Sequence, residues 1–300
     1  MAEPVPPRAR VVVVANKNWE ADPLVAVLLS DRTRPASLTD FESPGYPRLD
    51  PKNKGPRIRF KCGVASVEVW CVQDLMDPKV SGSNSAEKGR VLPAVFKGDP
   101  VSAVIAFGTA GYPDSANLNG CVVIGSRVML HDPQTKETDR YSSTLPDQVS
   151  KTALPVSFFR GIDADVRFPA EGRFLRTPLL AARPPVILAG HNWIALSEVN
   201  VTNYDDYVWT DPETIAKFHA LDPKAVSGRV ASVETTHGII REASDPAPFI
   251  FVSAITDRIP LFDLQVTPRT YSQNFVAAHN AGVALAWLIP EVVKQLVGAA

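Results

Sequence analysis

Val11-Val12-Val13-Val14-Ala15 is the feature that most narrows the fold. A continuous β-branched run without polar alternation has to be buried on both faces, and such strands lie in helix-flanked sheets. Asn16-Lys17-Asn18 is a polar break, and residues 23–29 then run apolar from Pro23, as a helix does when Pro occupies its first turn.

Further along, residues 31–57 hold five prolines among charges and read as a surface excursion. Residues 57–62 and 64–72 read as two strands joined at Gly63, since Val67, Val69 and Cys71 alternate with Glu68 and Trp70. A helix is expected near 86–96, stopped or kinked by Pro93. Residues 101–107, 122–130, 186–189, 229–233 and 249–255 read as strands, and 211–221 and 234–243 as helices. Residues 272–297 carry Leu285, Leu288, Ile289, Val292 and Leu296 at helical spacing, with a kink expected at Pro290. This alternation predicts an α/β fold of mostly parallel or mixed sheet. Residues 1–300 are expected to form a single domain with long insertions at about 31–57 and 133–185.

Composition bounds the function. The chain has 31 basic and 32 acidic residues, a net charge of −1, so it offers no broad basic field for nucleic acid. Cys62, Cys71 and Cys121 show no C-x-x-C spacing, which argues against structural zinc and a disulfide framework and for buried free thiols. The first apolar run is too short for a signal-peptide core or a membrane span, so a soluble cytoplasmic protein without a membrane partner is expected. P-loop, G-x-G-x-x-G, G-x-S-x-G and H-E-x-x-H motifs are all absent. Of five scattered histidines only His237 has a suggestive neighbour, Glu234, three positions earlier. A surface or satisfied imidazole is the expectation there, with a metal pair the lesser reading, and no metal or organic cofactor is implied.

Three small motifs sit at the ends of expected strands, where open α/β sheets place their ligands. They are Gly108-Thr109-Ala110-Gly111, Ser232-Val233-Glu234 and Ala254-Ile255-Thr256-Asp257. Each has a structural reading as well: a tight turn at 108–111, a first-turn carboxylate at Glu234, a helix N-cap at Asp257.

In order and spacing these motifs resemble the purine nucleoside phosphorylase / methylthioadenosine nucleosidase superfamily. Residues 104–111 are similar to its strand ending in G-[ST]-[AC]-G, and 120–132 to the G-D-[VI]-V stretch that follows. Residues 230–234 are similar to V-x-M-E with Val233 for Met, 255–257 to I-S-D with Thr for Ser, and 274–296 to the closing helix. The resemblance implies a phosphorylase/nucleosidase-like fold, a central mixed β-sheet flanked by helices with long loop insertions. It also implies cleavage of a purine N-glycosidic bond, with Asp257 as general acid to the base and Glu234 holding the ribose hydroxyls. Glu20 would orient water, and Gly108, Thr109, Ala110, Gly111 and Val233 would line the substrate. Tyr204, Tyr207 and Trp209 lie where the family places its base-stacking side chain. Hydrolysis is favoured over phosphorolysis because Ala106 occupies the place of a phosphate-binding arginine, with Arg8, Arg10 and Arg127 unplaced. The resemblance further implies a homo-oligomer acting on a nucleoside, with phosphate the alternative acceptor. A phosphorylase, a non-catalytic nucleoside binder of the same fold and an unrelated α/β enzyme remain the other readings.

Overall fold

The computed structural model describes residues 9–43, 54–113, 118–131, 187–189, 198–203, 229–259 and 271–298. Strands β1 (Arg10–Ala15), β2 (Leu38–Glu42), β3 (Ile58–Cys62), β4 (Ala65–Cys71), β5 (Ala103–Tyr112), β6 (Val122–Gly125), β7 (Val128–His131), β8 (Ile187–Ala189), β9 (Glu198–Asn203), β10 (Arg229–Glu234) and β11 (Phe249–Arg258) form one mixed sheet. The helices are α1 (Asn18–Leu29), α2 (Val72–Leu75), α3 (Ser85–Val91), α4 (His237–Ser244) and α5 (Tyr271–Gly298).

The valine run is β1, held between two parallel partners, β4 and β5. Val11, Val13 and Ala15 pack with Leu24 and Leu28 of α1 and Ala281 and Leu285 of α5. Val12 and Val14 face the other way, toward Val91 of α3 and Ile239 and Ile240 of α4. Each of the four valines is fully buried, which stabilises the fold by about 1.5–3 kcal/mol per side chain.

β5 is the hub of the sheet. Along one edge it pairs β11 in parallel from Val104 to Tyr112. Along the other it pairs β1 only as far as Phe107, and β10 joins antiparallel at Gly111. Residues 108–110 therefore border a gap where one neighbour has ended and the next has not begun. Beyond β10 the sheet continues through β9 and β7, and beyond β11 through β6 and β8.

Several boundaries differ from the sequence expectation. Residues 108–111 are the second half of a strand rather than the turn after one, and Asp257 lies inside β11 rather than just past it. Small residues there serve close approach between neighbours, which local pattern cannot distinguish from a turn. Helix α1 begins at Asn18, before Pro23, because Glu20 in its first turn accepts a hydrogen bond from the Lys17 backbone N–H. Residues 31–57 include β2, paired antiparallel with β3. The run 122–130 is two strands, because the chain crosses at Ser126-Arg127 from pairing β11 to pairing β9. Helix α4 starts at His237, leaving Glu234 in β10. Strand β9 has no counterpart in the sequence reading, and the helix expected at 211–221 and the insertion at 133–185 lie outside the described residues. Among the described residues, 274–296 is the stretch long and apolar enough to cross a bilayer, by length and composition only, and it is the helix buried against α1 and the sheet.

Candidate active site

The gap beside β5 is filled from α1. Where β1 stops, the Glu20 carboxylate takes over the edge: Oε1 accepts from the Thr109 backbone N–H and from Thr109 Oγ1, both at 2.8 Å. Oε2 accepts from the backbone N–H groups of Asn16 at 3.1 Å and Lys17 at 2.9 Å. A carboxylate has about four acceptor positions, so these bonds use them all. The start of α1 is itself clamped by Arg57, which bonds both carboxylate oxygens of Asp74 at 2.8 and 3.0 Å and also reaches Asp22 and Asn18. Burial works against the Arg57 charge, but Asp74 and its other anionic neighbours outweigh it and hold its pKa above the ordinary value.

On the opposite side stands α4. Glu234 Oε1 accepts from the His237 backbone N–H at 2.8 Å and from Thr202 Oγ1 at 2.5 Å, and Oε2 accepts from the Thr236 N–H. These are the orphan amides of a helix N-terminus, where a carboxylate is favoured by both hydrogen bonding and the helix dipole. Among the described residues, one acceptor position on Oε2 is left open. Lys88, fully buried on α3, secures the same corner by donating to Thr235 O, Thr235 Oγ1 and Thr236 Oγ1 at 3.0–3.1 Å.

The His237 ring is thereby turned inward, tilted on Phe251, with Nδ1 3.3 Å from Ser253 Oγ and 4.0 Å from Glu234 Oε1. Its Nε2 points at Gly108: a Cβ added there would lie 3.2 Å from Nε2 and 3.0 Å from Glu20 Oε1. Gly108 thus lets a carboxylate and an imidazole pack closer to the strand than a Cβ would allow.

Asp257 borders the other end of the stretch. The register of β11 slips between Ile255 and Asp257, so that Asp257 rather than Thr256 stands opposite Gly111. The bulge brings Asp257 Oδ1 within 3.1 Å of where a Gly111 Cβ would be, and Thr256 Oγ1 donates to Asp257 Oδ2. Asn119 Nδ2 donates to Thr256 O at 3.0 Å and Gly120 N–H to Ile255 O at 2.8 Å, fixing the bulge from outside the sheet.

No family model matches the chain, and no curated protein matches it by sequence. Solved structures do match it. A 5′-methylthioadenosine/S-adenosylhomocysteine (MTA/SAH) nucleosidase from Colwellia psychrerythraea, in complex with adenine, is 15% identical with a TM-score of 0.58, over 95% of this chain and 96% of that one. The enzyme from Streptococcus pneumoniae with a transition-state inhibitor is 12% identical with a TM-score of 0.57, over 94% and 98%. The chain has the MTA/SAH nucleosidase fold.

Within this nucleosidase fold, Glu20 bonds Thr109, Asp257 lies against Gly111, and Glu234 ends the strand that joins β5 at Gly111. Val233 is paired directly with Gly111. Tyr204, Tyr207 and Trp209 lie outside the described residues, as does Arg8. Arg10 is committed at the far end of β1, to Glu68 and the carbonyls of Val95, Lys97 and Asp99. Arg127 is buried in the crossing from β6 to β7. No cluster suited to a metal ion occurs among the described residues. Sequence reasoning missed Lys88 and Thr202 altogether and set His237 aside. The one available signal for His237 was its place just after the Glu234 carboxylate, at the mouth of a strand.

Proposed function

We propose that this chain cleaves the N-glycosidic bond of a purine nucleoside by hydrolysis. The observation that carries the reading is that Glu20 and Asp257 both lie against residues 108–111 of β5, with Glu234 at the end of the strand that joins β5 at Gly111, in a chain with a nucleosidase fold. Departure of the base leaves a ribosyl group with oxocarbenium character, and a site bordered by carboxylates stabilises that charge as it develops. Asp257 delivers a proton toward the purine N7 so that the base leaves neutral. The open acceptor position on Glu234 takes a ribose hydroxyl in a charge-assisted hydrogen bond. Residues 108–111, together with Val233, form the wall against which the nucleoside lies.

Water is the acceptor this arrangement favours. The Glu20 carboxylate, bonded at Thr109, repels a phosphate dianion and tolerates a neutral water. An adenine nucleoside heads the substrate list, because the fold neighbours were solved with adenine and its nucleoside analogues. The active form is a homo-oligomer in this reading.

The test is chromatographic release of free base from methylthioadenosine, adenosine, inosine and guanosine, with and without phosphate. Release without phosphate, abolished in Asp257→Asn, is the expected result. Release only with phosphate makes the chain a phosphorylase. Saturable binding with no release from any substrate makes it a nucleoside binder.

A further inference from the structure

Asp257 owes its place to a fault in the ladder. β11 runs in step with β5 from Phe249 opposite Val104 to Ile255 opposite Ala110, then Thr256 is skipped and Asp257 pairs Gly111. A one-residue slip exchanges the two faces of a strand. Without the skip, Thr256 would stand opposite Gly111, and Asp257 opposite Tyr112, whose side chain packs on the α3 and α4 face. A bulged residue drops out of the ladder, so its buried backbone groups need partners from elsewhere.

We propose that Asn119 is a positioning residue that holds this bulge in place and so fixes the acid Asp257 against Gly111, a role resting on the nucleosidase reading above. The segment before β6 follows β11 toward the bulge with its own backbone. Ile255 N–H donates to Cys121 O at 2.9 Å, and Gly120 N–H donates to Ile255 O at 2.8 Å. Residues 118–121 then form a tight turn, closed by Cys121 N–H on Leu118 O at 2.9 Å. Gly120 supplies the left-handed φ of +85° that the third residue of such a turn requires. The Asn119 side chain continues where that backbone ladder stops, and its Nδ2 donates to Thr256 O at 3.0 Å. Asn280 Nδ2 donates to Gly120 O at 3.0 Å and ties the turn to α5. On the other edge, Thr256 Oγ1 reaches Ala110 O at 3.3 Å and donates to Asp257 Oδ2. The bulged residue is held by a side-chain amide on one side and by its own hydroxyl on the other, and the carboxylate hangs from that hydroxyl.

An apolar side chain of the same size would not do this work. Thr256 is fully buried, so losing the Asn119 amide takes a donor from its carbonyl in a place without solvent. The rearrangement that compensates is a relaxed slip, which moves Asp257 off Gly111. An acid passes its proton only from about 2.6–3.2 Å, heavy atom to heavy atom. Asn119 touches neither base nor sugar in this reading and acts only through Thr256 and Asp257.

The experiment compares the wild type, Asn119→Leu, Asn119→Gln and Asn280→Ala for kcat, KM and thermal midpoint, on the nucleoside the wild type cleaves best. Asn119→Leu keeps the volume and removes the donor. It is expected to lower kcat about 10²-fold with little change in KM, the scale of an acid misplaced by about 1 Å. Asn119→Gln restores a donor on a longer stem and is expected to recover part of that loss, which a purely steric role would not show. Asn280→Ala releases Gly120 O from α5 and leaves Asn119 in place, so kcat should fall in the same sense by a smaller factor. A folded Asn119→Leu with wild-type kcat, with its loss in KM alone, or with no recovery in Asn119→Gln overturns the Asn119 role and leaves the nucleosidase reading intact. If Asn119→Leu does not fold, wild-type kcat in Asn280→Ala overturns the role equally. A wild type that releases no base overturns that reading and the Asn119 role with it.

Discussion

Glu20 and Thr109 stand 89 positions apart in the chain and are joined by two hydrogen bonds of 2.8 Å, one to the Thr109 backbone N–H and one to its hydroxyl. Through this pair, α1 completes the edge of β5 that β1 leaves open after Phe107. The same carboxylate closes the first turn of its own helix, so one side chain sets the height of α1 against the sheet.

Glu20→Gln tests that pin. An amide keeps one acceptor oxygen and turns two N–H donors toward donors, leaving buried backbone N–H groups unpaired. Stability should fall by about 2–3 kcal/mol, read as a lower urea midpoint with an unchanged slope. A change below about 0.5 kcal/mol, the size of an ordinary surface substitution, would show that water replaces the carboxylate without cost.

Arg57→Met should be more damaging. The guanidinium is nearly buried, and its removal takes away the ion pair it makes with Asp74, only 8% exposed at its side chain. Breaking one side of such a buried pair costs about 3–5 kcal/mol. The loss should be insensitive to salt, because a buried pair is poorly screened. If 1 M salt erases the difference between variant and wild type, the cluster is a surface one in solution.

Gly238→Ala should disturb α4 rather than the chemistry directly. A Cβ at Gly238 would sit 2.9 Å from Thr202 Cβ and 3.0 Å from its Oγ1, and that hydroxyl both accepts from Gly238 N–H and donates to Glu234. The helix must retreat from β9, costing about 1–3 kcal/mol in overpacking. A thermal melt of wild-type midpoint would contradict this packing.

The buried thiols make stability fall at high pH. Burial pushes Cys62 up to about 11 and Cys71 up to about 12, from an ordinary 9.0. Above the ordinary value the unfolded chain has released these protons while the native protein still holds them, so rising pH favours unfolding. The stabilisation is complete below pH 9 and is lost as pH rises through the native values. Each thiol contributes a slope approaching about 1.4 kcal/mol per pH unit in that window. Denaturant unfolding of wild type and of Cys62→Ala/Cys71→Ala between pH 8.5 and about 11 isolates the effect. Parallel pH dependences would exclude it.

Periodicity and composition were sufficient for the framework of this protein. A valine run with no polar alternation has nowhere to lie except between two covered faces, and the closing apolar helix had to bury its length against that sheet. Both are properties of local chain chemistry, so they survive in a single sequence. The motifs at 108–111, 232–234 and 254–257 were legible too, as small residues beside carboxylates.

The bonds each residue makes were decided only in three dimensions. Whether 108–111 is a turn or a strand depends on β11 running alongside it, and Asp257 meets Gly111 only because β11 slips by a bulge at Thr256. His237 looked like a scattered imidazole until α4, set by Glu234 and Thr202, packed its ring against Gly108. Hydrophobic pattern is a short-range signal repeated every few residues. A hydrogen bond across 89 positions has no such repeat, and it exists only once the sheet has brought its two ends together.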